Sequence, residues 1–252
     1  MPQLIWTRAL KDWDQDQSIF QKLKKEPLHL PCISTHGVPV KFPKQKPQVF
    51  VFTSANAVRY AARHFALVNL MKSAEIIYAI GGGTLETLKE LNISGEVPPS
   101  VKSAEDLSIW LARNLAPGTI VAWPSARQPS YDLEGYLRRY NIDVEQMVVY
   151  NTDRTLHLPN GKLPTSEEIT HFQETLEGIV CFASPSAVEG FTSSLMPQKN
   201  RLAKTLIAVA IGDPTKVAAE KYFEQVVSIT EPRVNLLAET GYNRLASLKS
   251  NS

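Results

Sequence analysis

The chain is poor in cysteine: Cys32 and Cys181 are its only two, and each sits inside an apolar, strand-like run. That argues against a disulfide framework and leaves buried free thiols as the expectation. Long hydrophobic runs are missing too. None approaches the ~18 residues that span a bilayer, so no membrane role is expected. Charge of one sign is missing. Twenty-seven Lys and Arg against 25 Asp and Glu leave a net charge of +2, too small to argue for nucleic acid. The five histidines (His29, His36, His64, His157, His171) are scattered without metal-ligand spacing, so no metal is expected. There is no Walker loop. Gly81-Gly82-Gly83-Thr84 lacks the third glycine of a dinucleotide fingerprint, so no cofactor is expected. The first residues show no basic segment followed by a long apolar one. No signal peptide is visible, and the cytoplasm is the expected compartment.

Alternating strands and helices are what the sequence does have. A length of 252 residues suits two domains of about 120 residues each. Residues 4–8 form an apolar run. Residues 14–25 follow with helical spacing at Ile19, Phe20 and Leu23, and residues 28–34 read as a strand that turns at His36-Gly37. This alternation predicts α/β architecture with parallel sheets covered by helices. The chain also repeats itself. Val49-Phe50-Val51-Phe52-Thr53-Ser54 with Ala57-Val58 reappears as Ile179-Val180-Cys181-Phe182-Ala183-Ser184 with Ala187-Val188. Ile80-Gly81 with Thr84 reappears as Ile211-Gly212 with Thr215, at nearly the same separation. A third pair matches residues 4–6, 14–25 and 28–34 to a strand from 120, a helix over 131–140 and a strand over 144–150. Two similar halves follow. Sequence order leaves two arrangements open: two domains in series, or one domain inserted into another made from both ends.

The repeated motifs share a chemistry. Ser54 and Ser184 each close a buried-type strand before a helix, where Ser is a favoured N-cap. Pro185 suits the first helical position, and Asp213-Pro214 reads as another cap with proline. At the carboxyl ends of parallel strands such turns lie where ligands bind. Their free N–H groups favour carboxylate or phosphate. Facing domains would line a cleft with four of them, suited to a large polyanion. The strand over 144–150 is read as ending where polar residues begin, with Tyr150 facing that cleft. Ser103 to Asp106 has the character of a capping box, a structural feature.

These residues carry a resemblance. Thr7-Arg8, Phe52-Thr53-Ser54-Ala55-Asn56-Ala57-Val58, Ala79-Ile80-Gly81 with Thr84, Val149-Tyr150-Asn151-Thr152, Phe182-Ala183-Ser184-Pro185-Ser186-Ala187-Val188 and Ala210-Ile211-Gly212 with Thr215 resemble the uroporphyrinogen-III synthase family. They occur in the family's order and cover almost the whole chain. The resemblance implies a discontinuous domain over 1–35 plus 153–252 and an inserted one over 38–149. A two-stranded β linker near 34–37 and 150–152 would join two similar parallel-sheet α/β domains across a cleft. It implies cyclisation of the linear tetrapyrrole hydroxymethylbilane, which has eight carboxylates, to uroporphyrinogen III. Ring D is inverted, water is lost, and neither cofactor nor metal takes part.

The resemblance also implies site residues. Tyr150 matches the tyrosine given a role in hydrogen bonding or proton donation to the departing hydroxyl. Thr53, Ser54, Asn56, Gly81, Thr84, Ser184, Ser186, Gly212 and Thr215 match binding positions, and Arg8 and Arg127 are further candidates for carboxylates. Ala183 departs from the hydroxyl residue often found there, and Asp213 places a negative charge at a turn expected to hold anions. A monomer is expected, with transient contact to hydroxymethylbilane synthase as a further expectation. Two rivals stand beside this reading. A non-catalytic two-lobed α/β module binding a polyanionic small molecule fits the same pattern, although such solute binders are usually secreted. A nucleotide-dependent oxidoreductase or transferase would need the missing glycine.

Overall fold

The computed structural model describes residues 1–197 and 200–250. In chain order its strands are β1 (Gln3–Trp6), β2 (Leu28–His29), β3 (Ser34–Gly37), β4 (Val49–Phe52), β5 (Ile76–Ala79), β6 (Ile120–Ala126), β7 (Asp143–Asp153), β8 (Gly178–Phe182), β9 (Leu206–Ala210) and β10 (Gln225–Ser228). Its helices are α1 (Trp13–Leu23), α2 (Ala55–Ala61), α3 (Phe65–Lys72), α4 (Gly81–Glu90), α5 (Ala104–Asn114), α6 (Leu133–Arg138), α7 (Ser166–Thr175), α8 (Pro185–Leu195), α9 (Leu202–Thr205), α10 (Asp213–Ala219) and α11 (Val234–Ser250). The chain divides into two compact units, Met1–Ser34 with Asp153–Ser252, and Thr35–Thr152.

The first unit holds a sheet ordered β10-β9-β8-β1-β2, parallel throughout. The second holds β3-β7-β6-β4-β5, with β7, β6, β4 and β5 parallel. Strand side chains alternate between two faces, so each sheet feeds two cores. Ile5, Val180 and Phe182 enter one core of the first unit, while Leu4, Trp6, Ile179 and Cys181 enter the other. In the second unit Phe50 and Phe52 pack on one face, and Val49, Val51 and Trp123 on the other. A strand buried on both faces reads as a continuous apolar run, which is why Val49-Phe50-Val51-Phe52 shows no polar alternation.

The two sheets are permuted copies. The run β9-β8-β1-β2 matches β5-β4-β6-β7 strand for strand. The strand–helix–strand unit at the start of the chain therefore pairs with the later Phe-x-Ser and Ile-Gly motifs, the point that sequence order left open. The margins differ. β10 pairs four residues beyond β9, whereas beyond β5 the described residues add only the single bridge of Tyr78 with Glu96.

Several boundaries differ from the sequence reading. The strand expected over 28–34 is only Leu28–His29. Pro31 has no N–H for a ladder, although Leu30 and Cys32 still donate to the carbonyls of Trp6 and Thr7. His36-Gly37 lies inside β3 and is not a turn. Polar residues do not stop β7, which runs on to Asp153 beside its neighbour β3. β6 continues through Pro124, which lies past the two residues that β6 pairs with β4, so no donor to β4 is missing there. The middle helix is the short α6, capped by Asp132, whose carboxylate accepts from the Gly135 N–H. The N-cap of α10 is Gly212, and Asp213 is already helical with no capping bond. Ser103 and Asp106 do form the capping box. Cys32 and Cys181 are free and buried.

Candidate functional site

In each sheet the parallel strands deliver their carboxyl ends to one edge, the edge from which such folds present ligand-binding turns. In the second unit β4 leads through Thr53 to Ser54. Ser54 is extended (φ −159°), and its Oγ accepts from the Ala57 N–H at 3.2 Å, which caps α2. Thr53 Oγ1 accepts from the buried Trp123 indole at 3.4 Å. The next strand, β5, leads to Gly81 at φ +70°, a left-handed conformation that glycine adopts without cost. No side chain caps α4, so its first N–H groups have no intrahelical acceptor. A Cβ at Gly81, Gly82 or Gly83 would meet nothing within 4 Å. A ligand can approach this backbone closely.

Tyr150 stands in β7, where a bulge in the pairing with β6 falls between Ser125 and Ala126. Its carbonyl accepts from the Arg127 N–H at 2.9 Å. The ring is 8% exposed, and its hydroxyl lies 3.4 Å from Ser54 Oγ. Because Ser54 Oγ already accepts from Ala57, it retains a proton and a lone pair with which to meet the phenol. Tyr60 of α2 stacks on Tyr150, with centroids 5.1 Å apart and planes 13° apart. Burial pushes the Tyr150 phenol above its ordinary value of 10. The Ser54 bond pulls it down and Tyr60 adds a smaller upward push. The group is thus a neutral donor at physiological pH.

The first unit repeats half of this. Ser184 Oγ accepts from the Ala187 N–H at 3.2 Å, as Ser54 does from Ala57, and Pro185 opens α8. Ser186 is half-buried in its first turn. Residues 30–34, which follow β2 as the end of β7 follows its first residues, contain no tyrosine to match Tyr150. Arg8, just past β1, is clamped at 3.2 Å by both Asp12 and Asp16. Its charge is largely answered within the fold, which weakens it as a carboxylate ligand. Thr84 and Thr215 are buried (6% and 2% exposed), so their turns offer backbone more than hydroxyl. Asn56 is half-buried, and the Arg127 side chain is exposed.

Within the second unit the structure thus gathers Tyr150, Ser54 and the Arg127 backbone, with Thr53 beside Ser54 and Gly81 just past the end of the adjacent strand β5. In the first unit it sets Arg8, Ser184 and Gly212 past the ends of the adjacent strands β1, β8 and β9. Sequence reasoning missed Tyr60, which shares the buried stripe of α2 with Ala57, Val58 and Ala61. A tyrosine on an otherwise small-residue stripe was the available signal. Among the described residues no group of three His, Cys, Asp or Glu could hold a metal ion, and no helix is long and apolar enough to cross a membrane.

Each unit of this duplicated α/β fold thus presents Ser-capped turns past the carboxyl ends of its parallel strands, and the second adds a neutral tyrosine beside one of them. The sequence profile of uroporphyrinogen-III synthase HemD matches residues 14–238, and the chain belongs to that family. The porphyrin biosynthesis protein HemD of Ruminiclostridium josui is 28% identical over 146 residues, which is 58% of this chain. The chain spans 27% of the length of that relative. Uroporphyrinogen-III synthetase from Helicobacter pylori has the same fold, with a TM-score of 0.63 at 18% identity over 96% of this chain and 99% of that one. A mutant uroporphyrinogen III synthase from Thermus thermophilus gives 0.62 at 19% identity, over 98% and 100%.

Proposed function

We propose that the chain is a uroporphyrinogen-III synthase. It takes hydroxymethylbilane, closes the macrocycle with ring D inverted, and releases uroporphyrinogen III and water. Beside the family membership, the observation that carries this reading is the Tyr150 hydroxyl set 3.4 Å from Ser54 Oγ at the end of β4. The C–O bond of the hydroxymethyl group breaks as Tyr150 hydrogen-bonds the departing hydroxyl, leaving an electrophilic azafulvene. Ring D attacks through its substituted position to give a spiro intermediate, which rearranges. Closure releases one proton, which balances the one that leaves in water, so the phenol ends as it began. A phenol with a raised pKa suits hydrogen-bond donation better than full transfer.

The eight carboxylates of the substrate need donors more than cations. First-turn N–H groups at Ser54, Gly81 and Ser184 supply partial positive charge of that kind. Thr53, Asn56, Thr84 and Ser186 belong to those turns and Gly212 and Thr215 to the turn after β9, and Arg8 and Arg127 would contribute at their margins. The reading extends to a cytoplasmic monomer, without cofactor, that meets hydroxymethylbilane synthase transiently to receive an unstable substrate.

The test is to supply hydroxymethylbilane and separate the products. Spontaneous closure gives isomer I. Added protein should divert the yield to isomer III, and an unchanged yield of isomer I overturns the assignment, in favour of a module that binds a polyanion without converting it.

A further inference from the structure

Helix α2 touches Tyr150 twice. Its N-cap, Ser54, meets the phenol hydroxyl, and Tyr60, in its last turn, lies flat on the phenol ring. Tyr60 is itself held. Its hydroxyl donates toward the Thr35 carbonyl oxygen at 2.6 Å and lies 3.0 Å from Thr35 Oγ1. Thr35 belongs to β3, the strand that flanks β7. The Arg63 guanidinium lies 4.3 Å from the Tyr60 ring centroid, and Gly37 leaves 3.4 Å between the site of a Cβ and the Tyr60 ring. Tyr60 is 5% exposed. A ring bonded at its hydroxyl and in contact with Tyr150 and Arg63 is held in place, so it acts as a plate against which Tyr150 is set.

We propose that Tyr60 is a positioning residue for the reaction at Tyr150, holding the phenol ring in place by stacking and excluding water from its face. The inference rests on the synthase reading and extends it to a residue that acts through the Tyr150 ring. Without the plate, the Tyr150 ring could swing about its Cα–Cβ bond, which would carry its hydroxyl away from Ser54. Misplacement of a reacting group by about 1 Å costs on the order of a hundredfold in rate, while the binding turns at Gly81 and Ser184 would be untouched. Loss of the plate should therefore appear in kcat and leave KM alone.

Three variants test this: Tyr60→Leu, which removes the ring but keeps apolar bulk; Tyr60→Phe, which keeps the stack and gives up the Thr35 bond; and Tyr150→Phe, which assigns the Tyr150 signal. Two readings are taken. In the first, proteins labelled at tyrosine Cζ are titrated by NMR, with no substrate present. In Tyr60→Leu the Tyr150 phenol should ionise at lower pH than in the wild type, because water reaches its face; in Tyr60→Phe it should stay close to wild type. In the second, isomer III formation by Tyr60→Leu should fall in kcat by about tenfold or more with KM within about twofold, and Tyr60→Phe should recover most of the rate. An unmoved Tyr150 titration in Tyr60→Leu overturns the proposal, as does a rate loss seen in KM alone or one that Tyr60→Phe does not recover. Absence of isomer III from the wild-type protein defeats the synthase reading instead, and the substrate-free titration still decides the role of Tyr60. Should Tyr60→Leu not fold, Tyr60→Met keeps more apolar volume while still removing the flat ring, and it carries the same two readings in the same direction.

Discussion

The buried indole of Trp6 donates to Asp16 Oδ2 at 2.8 Å, and Arg8 reaches the other oxygen of that carboxylate at 3.2 Å. Trp6 is fully buried and Asp16 only 1% exposed. Burial nevertheless outweighs both partners, and the Asp16 carboxyl sits above its ordinary value of 3.8. Desolvation of a carboxylate can exceed what its ion pair returns.

Acid should therefore favour the fold at this residue. The folded state takes up the Asp16 proton at a higher pH than the unfolded chain does, so the contribution of Asp16 to stability rises as pH falls from neutrality. It levels off below 3.8. We expect the urea midpoint of wild type relative to Asp16→Asn to increase on acidification from pH 7. A gap that shrinks instead would show that the Arg8 pair dominates.

Gly190 of α8 lies against the backbone of Cys32. A Cβ there would stand 1.9 Å from the Cys32 carbonyl oxygen, a contact with rigid backbone. Gly190→Ala should destabilise by about 3 kcal/mol, the upper range for overpacking, measurable as a lowered midpoint of chemical unfolding. Stability equal to wild type would mean that α8 can move off this segment freely.

Ser54 and Ser184 form the same N-cap bond at the same 3.2 Å. Each Ser→Ala change should cost about 1 kcal/mol of stability. Only Ser54 also meets Tyr150 and holds its phenol down, so Ser54→Ala alone should raise the pH at which Tyr150 ionises. A Tyr150 signal that responds equally to both variants would contradict the assignment.

Tyr150→Phe removes one oxygen whose partner among the described residues, Ser54 Oγ, is at 3.4 Å. The folded state should lose no more than about 1 kcal/mol. Isomer III formation should fall by about a hundredfold, the range for a lost proton-donating group. A folded variant with an undiminished rate would remove Tyr150 from the chemistry.

The repeat was legible because strand and turn chemistry recur locally: a doubly buried run, a Ser cap, then a helix. The same feature made Ser54 and Ser184 readable as caps and Gly81 as a turn. The chain at 28–37 was not legible. Its register depends on bonds from Leu30 and Cys32 to residues at and beyond the end of β1 and on the edge strand beside β7, and neither leaves a local pattern. Asp213 looked like a cap by composition, yet the backbone places Gly212 there. Arg8 looked like a free cation because Asp12 and Asp16 reach it only after α1 has formed. Tyr60 was hidden among core positions, since a buried tyrosine on a helix stripe announces nothing about which ring it will meet.

The permuted order of strands has a consequence for synthesis on the ribosome. The second unit is one unbroken stretch, Thr35–Thr152, with its sheet and both cores encoded inside it. β1 must instead wait for β8, its partner at the middle of the other sheet, 175 residues downstream. At a translation rate of about 5–20 residues per second that wait lasts on the order of ten to thirty seconds. Throughout it Leu4, Ile5 and Trp6 have emerged with β2 on one side but without β8 on the other. The nascent chain thus completes its inner part first, and holds its first apolar residues in reserve until the last third arrives.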